Sequence, residues 1–290
     1  MLKFRKIDYE KDVDEIIELL NANFEIERKK ESFLWKHFEN PFGKSYGLLA
    51  IDDHKIVGLR MFMRWEFVYK NRLVKAIRPV DTCTDNEYRG QGLFKKITLQ
   101  GLQNIREEYE LVFNTPNSNS RPGYLKMGWK PIDNKFNYKV GILNFLKGGG
   151  NFKHITSREI DFRKSWKEEL LCQTNISKEY LEWRYTGAEY KIAKFDDNGI
   201  IVYKLAKLKG IQSIVLVDSF GIQKEMKKKL AAIGSKNNAK AIYFLENEKN
   251  KNLNYLINFN RGSQAVVSKD DVLCMSGKIA FSVGDLEGRI

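Results

Sequence analysis

The sequence predicts an α/β chain of the α+β kind: a mixed, mostly antiparallel sheet flanked by helices, then a second α/β domain of similar plan. Three observations carry this. Helical spacing near the start gives way to two long strand-like runs joined by a tight turn. A strand, a polar glycine-containing turn, a helix and a short buried strand then follow one another over 80–115. After a run of three glycines, much of the same order recurs.

Each element has its own signal. Between Asp8 and Phe24, apolar residues fall at Val13, Ile16, Ile17, Leu19, Leu20 and Phe24, a helical spacing. ESFLWKHF (31–38) reads as a short helix ended by the Asn40-Pro41 turn signal. SYGLLAID (45–52) and KIVGLRMFMRWEFVY (55–69) read as strands around a hairpin turn, and Lys70-Asn71 as the next tight turn. A third strand ends in VDTCTD (80–85). Pro79 cannot donate to a ladder, so the strand is expected to start or bulge there. A helix begins near Gly92, with Leu93, Phe94, Ile97, Leu102 and Ile105 on one broad face. YELVFNT (109–115) reads as a buried strand, PNSNSRPG as a turn leading into a short helix, and further strand material runs to about Asn144.

LKGGGN (146–151) is the linker the sequence suggests, which sets a first domain at 1–146 and a second at 151–290. In the second, Trp183-Arg184 follows the pattern of Trp35-Lys36, and a hairpin at Asp196 to Gly199 that of Asp52-Asp53. A strand (211–219), a helix (222–233), a strand (241–246) and a helix (249–257) complete the diverged repeat.

Composition excludes several classes. The chain has 290 residues, 42% hydrophobic and 30% charged, a globular balance. No apolar run approaches the roughly 18–20 residues that cross a bilayer, and the start has no apolar segment of a secretory signal, so a cytoplasmic location is expected. Cys83, Cys172 and Cys274 are odd in number and far apart, and His37, His54 and His154 are scattered; neither set has disulfide or metal-ligand spacing. The net charge of +13 suits phosphate-bearing partners, although lysines on solvated helix faces such as KEMKKKL (224–230) account for much of it.

The stretch with chemistry is VDTCTDNEYRGQGLFKKI (80–97). Gly90 and Gly92 can take positive φ and let a ligand approach the backbone. The amides of Arg89, Gly90, Gln91, Gly92, Leu93 and Phe94 then face outward at a helix N-terminus, whose dipole favours an anion such as a pyrophosphate. No Walker or dinucleotide glycine spacing is present. Further on, Asn117, Tyr124, Gly128 and Trp129 surround a short helix.

Together these segments resemble the GNAT superfamily of N-acetyltransferases. The acetyl-CoA signature of that family, Arg/Gln-x-x-Gly-x-Gly/Ala, is met from Arg89 to Leu93 and departs at Phe94. Its later Asn…Tyr-x-x-x-Gly-aromatic pattern is met by Asn117, Tyr124, Gly128 and Trp129. The recurrence after the glycines resembles the tandem branch, with a degenerate second GNAT-like domain lacking the Arg-Gly-x-Gly loop.

The resemblance implies a GNAT-type catalytic domain that moves an acetyl group from acetyl-CoA to an amine by direct aminolysis, without a metal. It implies that the amides of Thr82, Cys83 and Thr84 bond the pantetheine arm like an added strand, that Tyr124 protonates the departing thiolate, and that Asn117 bonds the cofactor arm. The residues themselves also allow Tyr124 as a packing tyrosine, Asn117 as a turn cap and Cys83 as a buried strand residue. Asp81 alternates with Cys83 and is the candidate base, ahead of Glu66, Asp85 and Glu87, with the Ile290 terminal carboxylate as an outside candidate. The expected partner is a small-molecule or peptide amine, with no membrane span and no nucleic acid; oligomeric state is left open. Two rival readings are a peptidyl-type transferase using aminoacyl-tRNA and a non-catalytic CoA- or partner-binding protein.

Overall fold

The computed structural model describes residues 2–132, 136–143, 149–161, 171–222, 225–246, 253, 255, 258–263, 265–269 and 279–286. In chain order the first elements are β1 (Lys3–Lys6), α1 (Val13–Asn23), α2 (Lys30–His37), β2 (Tyr46–Asp52), β3 (Lys55–Tyr69), β4 (Arg72–Thr84), α3 (Leu93–Asn104), β5 (Leu111–Asn114), α4 (Arg121–Lys126) and β6 (Lys130–Pro131). Then come β7 (Asn137–Ile142), β8 (Phe152–Ile155), β9 (Cys172–Thr174), α5 (Lys178–Arg184), β10 (Lys191–Phe195), β11 (Ile200–Leu208), β12 (Ile211–Phe220), α6 (Met226–Lys236), β13 (Ala241–Glu246), β14 (Asn258–Ser263), β15 (Val267–Ser268) and β16 (Ile279–Ala280). No helix among the described residues is long and apolar enough to cross a membrane.

The chain forms two compact units. The first comprises 1–67, 72–132 and 266–274, and the second 68–71, 133–265 and 275–290. This division falls ahead of the glycine run, because β7 pairs antiparallel with β13 along its whole length. Conversely, β15 pairs with β5 and so belongs to the first unit.

In the first unit the strands run β1-β2-β3-β4-β5-β15-β6. β1 and β2, and β2 and β3, pair antiparallel, whereas β4 and β5 are parallel with α3 crossing between them. The left-handed pair Lys70 and Asn71 closes the β3–β4 turn. β4 begins at Arg72, so Pro79 lies inside it, and the backbone irregularity falls two residues later, at Asp81 with φ 41°.

Alternation along β2 separates two cores. Leu49 joins Val13, Ile16, Leu19 and Leu20 of α1 and Phe33 of α2. Leu48 and Ala50 join Leu93 and Ile97 of α3 and Tyr124 of α4. Burying such aliphatic side chains contributes about 1.5–3 kcal/mol each, which is what seats helices as short as the 11-residue α1 on the sheet.

The second unit repeats the plan. Its sheet runs β14-β7-β13-β12-β11-β10-β8. Three antiparallel pairings lead from β8 to β12, and α6 then crosses to β13, parallel to β12. α5 precedes its first hairpin as α2 precedes β2. The helix expected at 222–233 is found at 226–236; most of the one expected at 249–257 lies outside the described residues.

Gly101 packs α3 tightly onto Phe62 of the sheet. A Cβ there would stand 2.3 Å from the ring of fully buried Phe62. Helix propensity favours Gly101→Ala by about 1 kcal/mol, but overpacking costs about 1–3 kcal/mol. The variant should therefore unfold at lower urea concentration than the wild type; equal or higher stability would contradict this contact.

Candidate active site

The junction of β4 and α3 is built to leave backbone donors open. Gly90 (φ 78°) and Gly92 (φ 73°) are left-handed, and a Cβ on either would meet nothing within 4 Å. Gly92 caps α3 without a side chain, and the first turn has no acidic residue. The first amides of a helix have no intrahelical partner, and here the glycines keep the space over them clear. Exposed Lys95 and Lys96 add positive charge in the same turn.

The loop's side chains mostly anchor it. Arg89 donates to the Asn23 side chain at 3.1 Å and to the Thr84 carbonyl at 3.4 Å, tying the loop to the end of α1. Gln91 donates to the Glu87 carbonyl at 3.4 Å. Leu93 is buried. Phe94 turns into the core, its ring edge-on to Tyr124 at 5.7 Å; its bulk therefore points away from the open amides.

β4 and β5 pair over only two positions, Ala76 with Leu111 and Ile77 with Val112. Beyond them β5 turns to β15, so Thr82, Cys83 and Thr84 have no β5 residue opposite. Cys83 points into the α1 core, where burial pushes its thiol up to about 11. Such a thiol is a packing group rather than a nucleophile. Thr82 and Thr84 are half-buried.

Asp81 lies on the α2 face. Its Oδ2 accepts from Lys36 at 2.9 Å and pairs with His37 Nε2 at 2.8 Å, while His37 Nδ1 meets Ser45 Oγ at 2.9 Å. Burial alone would raise its pKa. The Lys36 ammonium and the His37 hydrogen bond outweigh that and hold the carboxyl well below the usual carboxylate range. Oδ1 has no partner among the described residues. Asp85 is occupied otherwise, accepting from Lys55 at 2.9 Å and from the Glu87 amide at 3.1 Å. Ile290 lies outside the described residues.

Tyr124 is buried on the opposite face, between Phe94 and Trp129. Its hydroxyl accepts from the guanidinium of Arg60, itself 1% exposed. Asn117 uses its side-chain oxygen to accept from the Ser120 amide and hydroxyl, both at 2.9 Å, the turn-capping use that its residue type allows. The structure thus gathers the 89–94 loop, the free stretch of β4 and Tyr124 around α3, and sets Asp81 on the other side of the sheet. Sequence reasoning missed Arg60 and His37. An arginine amid the apolar residues of IVGLRMFM (56–63) was the available signal for the first; nothing marked the second.

Residues 3–132 match the acetyltransferase (GNAT) domain family. They are a GNAT acetyltransferase domain. No curated protein matches the sequence. Among solved structures, a conserved protein from Enterococcus faecalis V583 described as a "Probable N-Acyltransferase" shares 13% identity at a TM-score of 0.71, covering 92% of this chain and 72% of that one. GCN5-related N-acetyltransferases from Kribbella flavida (10%, TM-score 0.70, 92% and 70% covered) and Anabaena variabilis (12%, TM-score 0.70, 92% and 72% covered) are similar in fold. The likeness extends past the GNAT domain into the second unit. There α6 begins after left-handed Glu225, whose carboxylate pairs with Lys228. Among the described residues no group of His, Cys, Asp and Glu is placed to hold a metal.

The low pKa of Asp81 has a consequence for stability. Its folded value lies below the unfolded value of about 3.9. The tie between α2 and β4 therefore contributes fully above that pH and is lost as pH falls through the folded value. Asp81→Asn should cost about 1–3 kcal/mol at pH 7, and less below about pH 4. Equal losses in urea titrations at pH 7 and pH 3 would show that the carboxylate charge is not what holds α2.

Proposed function

We propose that the GNAT domain transfers an acetyl group from acetyl-CoA to a primary amine on a small molecule or peptide by direct aminolysis. The observation that carries this is the uncapped start of α3: two left-handed glycines with clear space above them, next to a stretch of β4 that β5 has left. A diphosphate fits the first and an extended amide-bearing arm fits the second. Acetyl-CoA supplies the activated acyl group.

In this reading the amides of 90–94 hold the diphosphate, with Lys95 and Lys96 beside it; the Arg89 amide, expected to join them, is bonded instead to the Asn86 carbonyl at 3.4 Å. Of the amides of Thr82, Cys83 and Thr84, those on the edge away from β3 bond the pantetheine arm as an added strand would; the Asp85 amide points to β3, to the Val57 carbonyl. Asn117 contributes by shaping the turn before α4. Asp81 accepts a hydrogen bond from the amine at Oδ1 and orients it. A carboxylate kept so acidic is a poor resting place for a proton, so the proton lost by the amine passes on to water. Tyr124 gives its hydroxyl proton to the departing sulfur. The second unit holds no CoA: where Gly92 stands in the first, Glu225 places a carboxylate.

Calorimetry with acetyl-CoA followed by an amine panel read by free thiol tests the whole. Micromolar binding and thiol release with at least one amine are expected. Absence of measurable affinity would remove the reading. Tyr124→Phe should leave acetyl-CoA affinity in place and lower kcat by about 100-fold or more; an unchanged kcat would take the acid role from Tyr124.

A further inference from the structure

We infer that Arg60 is a positioning residue: it aims the Tyr124 proton and steadies the charge left when that proton is given away. The inference rests on Tyr124 being the acid. Arg60 stands on β3, 1% exposed, facing α3 and α4. Among the described residues it has no carboxylate partner, and its buried Nε has no hydrogen-bond partner. An unpaired guanidinium in a core is costly. It is surrounded instead by the rings of Phe62 at 5.9 Å, Phe94 at 5.3 Å and Tyr124 at 5.4 Å, which offer it only their π faces.

Among the described residues, the one oxygen that Arg60 reaches is the Tyr124 hydroxyl. Arginine has donors and no acceptor, so the hydroxyl must accept here, and its own proton points elsewhere. No protein group among the described residues takes that proton. The arrangement fixes a phenol whose lone pair is occupied and whose hydrogen is on offer.

The step balances without a further reactant. The amine nitrogen bonds to the acyl carbon as the carbon–sulfur bond breaks. The Tyr124 proton moves to sulfur, giving free thiol and a phenolate beside Arg60. The proton lost by the nitrogen reaches solvent, and solvent returns one to the phenolate. The guanidinium is already in place where the negative charge develops, so no reorganisation is needed at that moment.

A double-mutant cycle tests this. Arg60→Met should lower kcat about 10-fold or more with the KM for acetyl-CoA unchanged, and Arg60→Lys should restore part of the loss. In a Tyr124→Phe background, Arg60→Met should change kcat less than about 2-fold, since an effect exerted through the hydroxyl vanishes with it. Equal losses in both backgrounds, or none in either, would overturn the inference. If Tyr124→Phe alone is silent, it is the acid role of Tyr124 that fails. Should Arg60→Met not fold, NMR of the Arg60 Nη protons decides. Slow exchange in the wild type that is lost in Tyr124→Phe supports the contact, and fast exchange in both overturns it.

Discussion

β4 and β5 run side by side for two residue pairs and then part, and β5 finds a new neighbour in β15. A parallel pair that ended together would satisfy its own backbone and leave nothing for a ligand. By parting, the strands expose amides on β4 at the point where the chain must turn into α3. The turn itself is possible only because Gly90 and Gly92 accept left-handed conformations that cost other residues about 1–2 kcal/mol each. Strand, glycine turn and helix dipole thus converge on one strip of unsatisfied donors. The rest of the domain holds that strip steady, with α1 reached by Arg89 on one side and Phe94 packed under it on the other.

The two faces of β3 and β4 carry opposite charge problems. On the α2 face Asp81, in a left-handed backbone position unusual for a strand, gathers Lys36 and His37. Its charge is compensated, and one oxygen has no partner among the described residues. On the α3 face Arg60 has no acid partner among the described residues. A sheet selected for stability alone would place aliphatic residues at both positions, since isosteric apolar groups are usually no worse than buried ions. The sheet carries instead an anionic acceptor on one face and a cation-backed phenol on the other.

Much of this was legible in the sequence because backbone chemistry leaves local marks. The left-handed glycines, the strand before them and the alternation that buries Leu48 and Leu49 on opposite faces all follow from residues near one another. The tyrosine at 124 was also visible, as part of a spaced pattern. Partnership was not. Nothing in the spacing tells that Lys36 and His37 fold over Asp81, 44 residues away from the histidine, or that β15 returns to complete the sheet at β5. The strand start or bulge expected at Pro79 is not where the backbone departs: the proline sits within a continuous strand, and Asp81 takes the positive φ.

The second unit shows what is lost when the same plan is kept without the chemistry. Its strands, its hairpin and its parallel crossover follow those of the first, so the hydrophobic pattern that specifies the sheet has persisted. At the start of α6, however, the left-handed position is filled by Glu225, at a backbone cost that glycine would avoid. A carboxylate at a helix N-terminus is itself stabilising, and Lys228 completes the pairing. The left-handed position that is bare backbone at the start of α3 thus carries a side chain and a negative charge at the start of α6. One residue in the left-handed position, glycine or glutamate, sets whether the helix starts from bare backbone or beside a carboxylate paired with lysine.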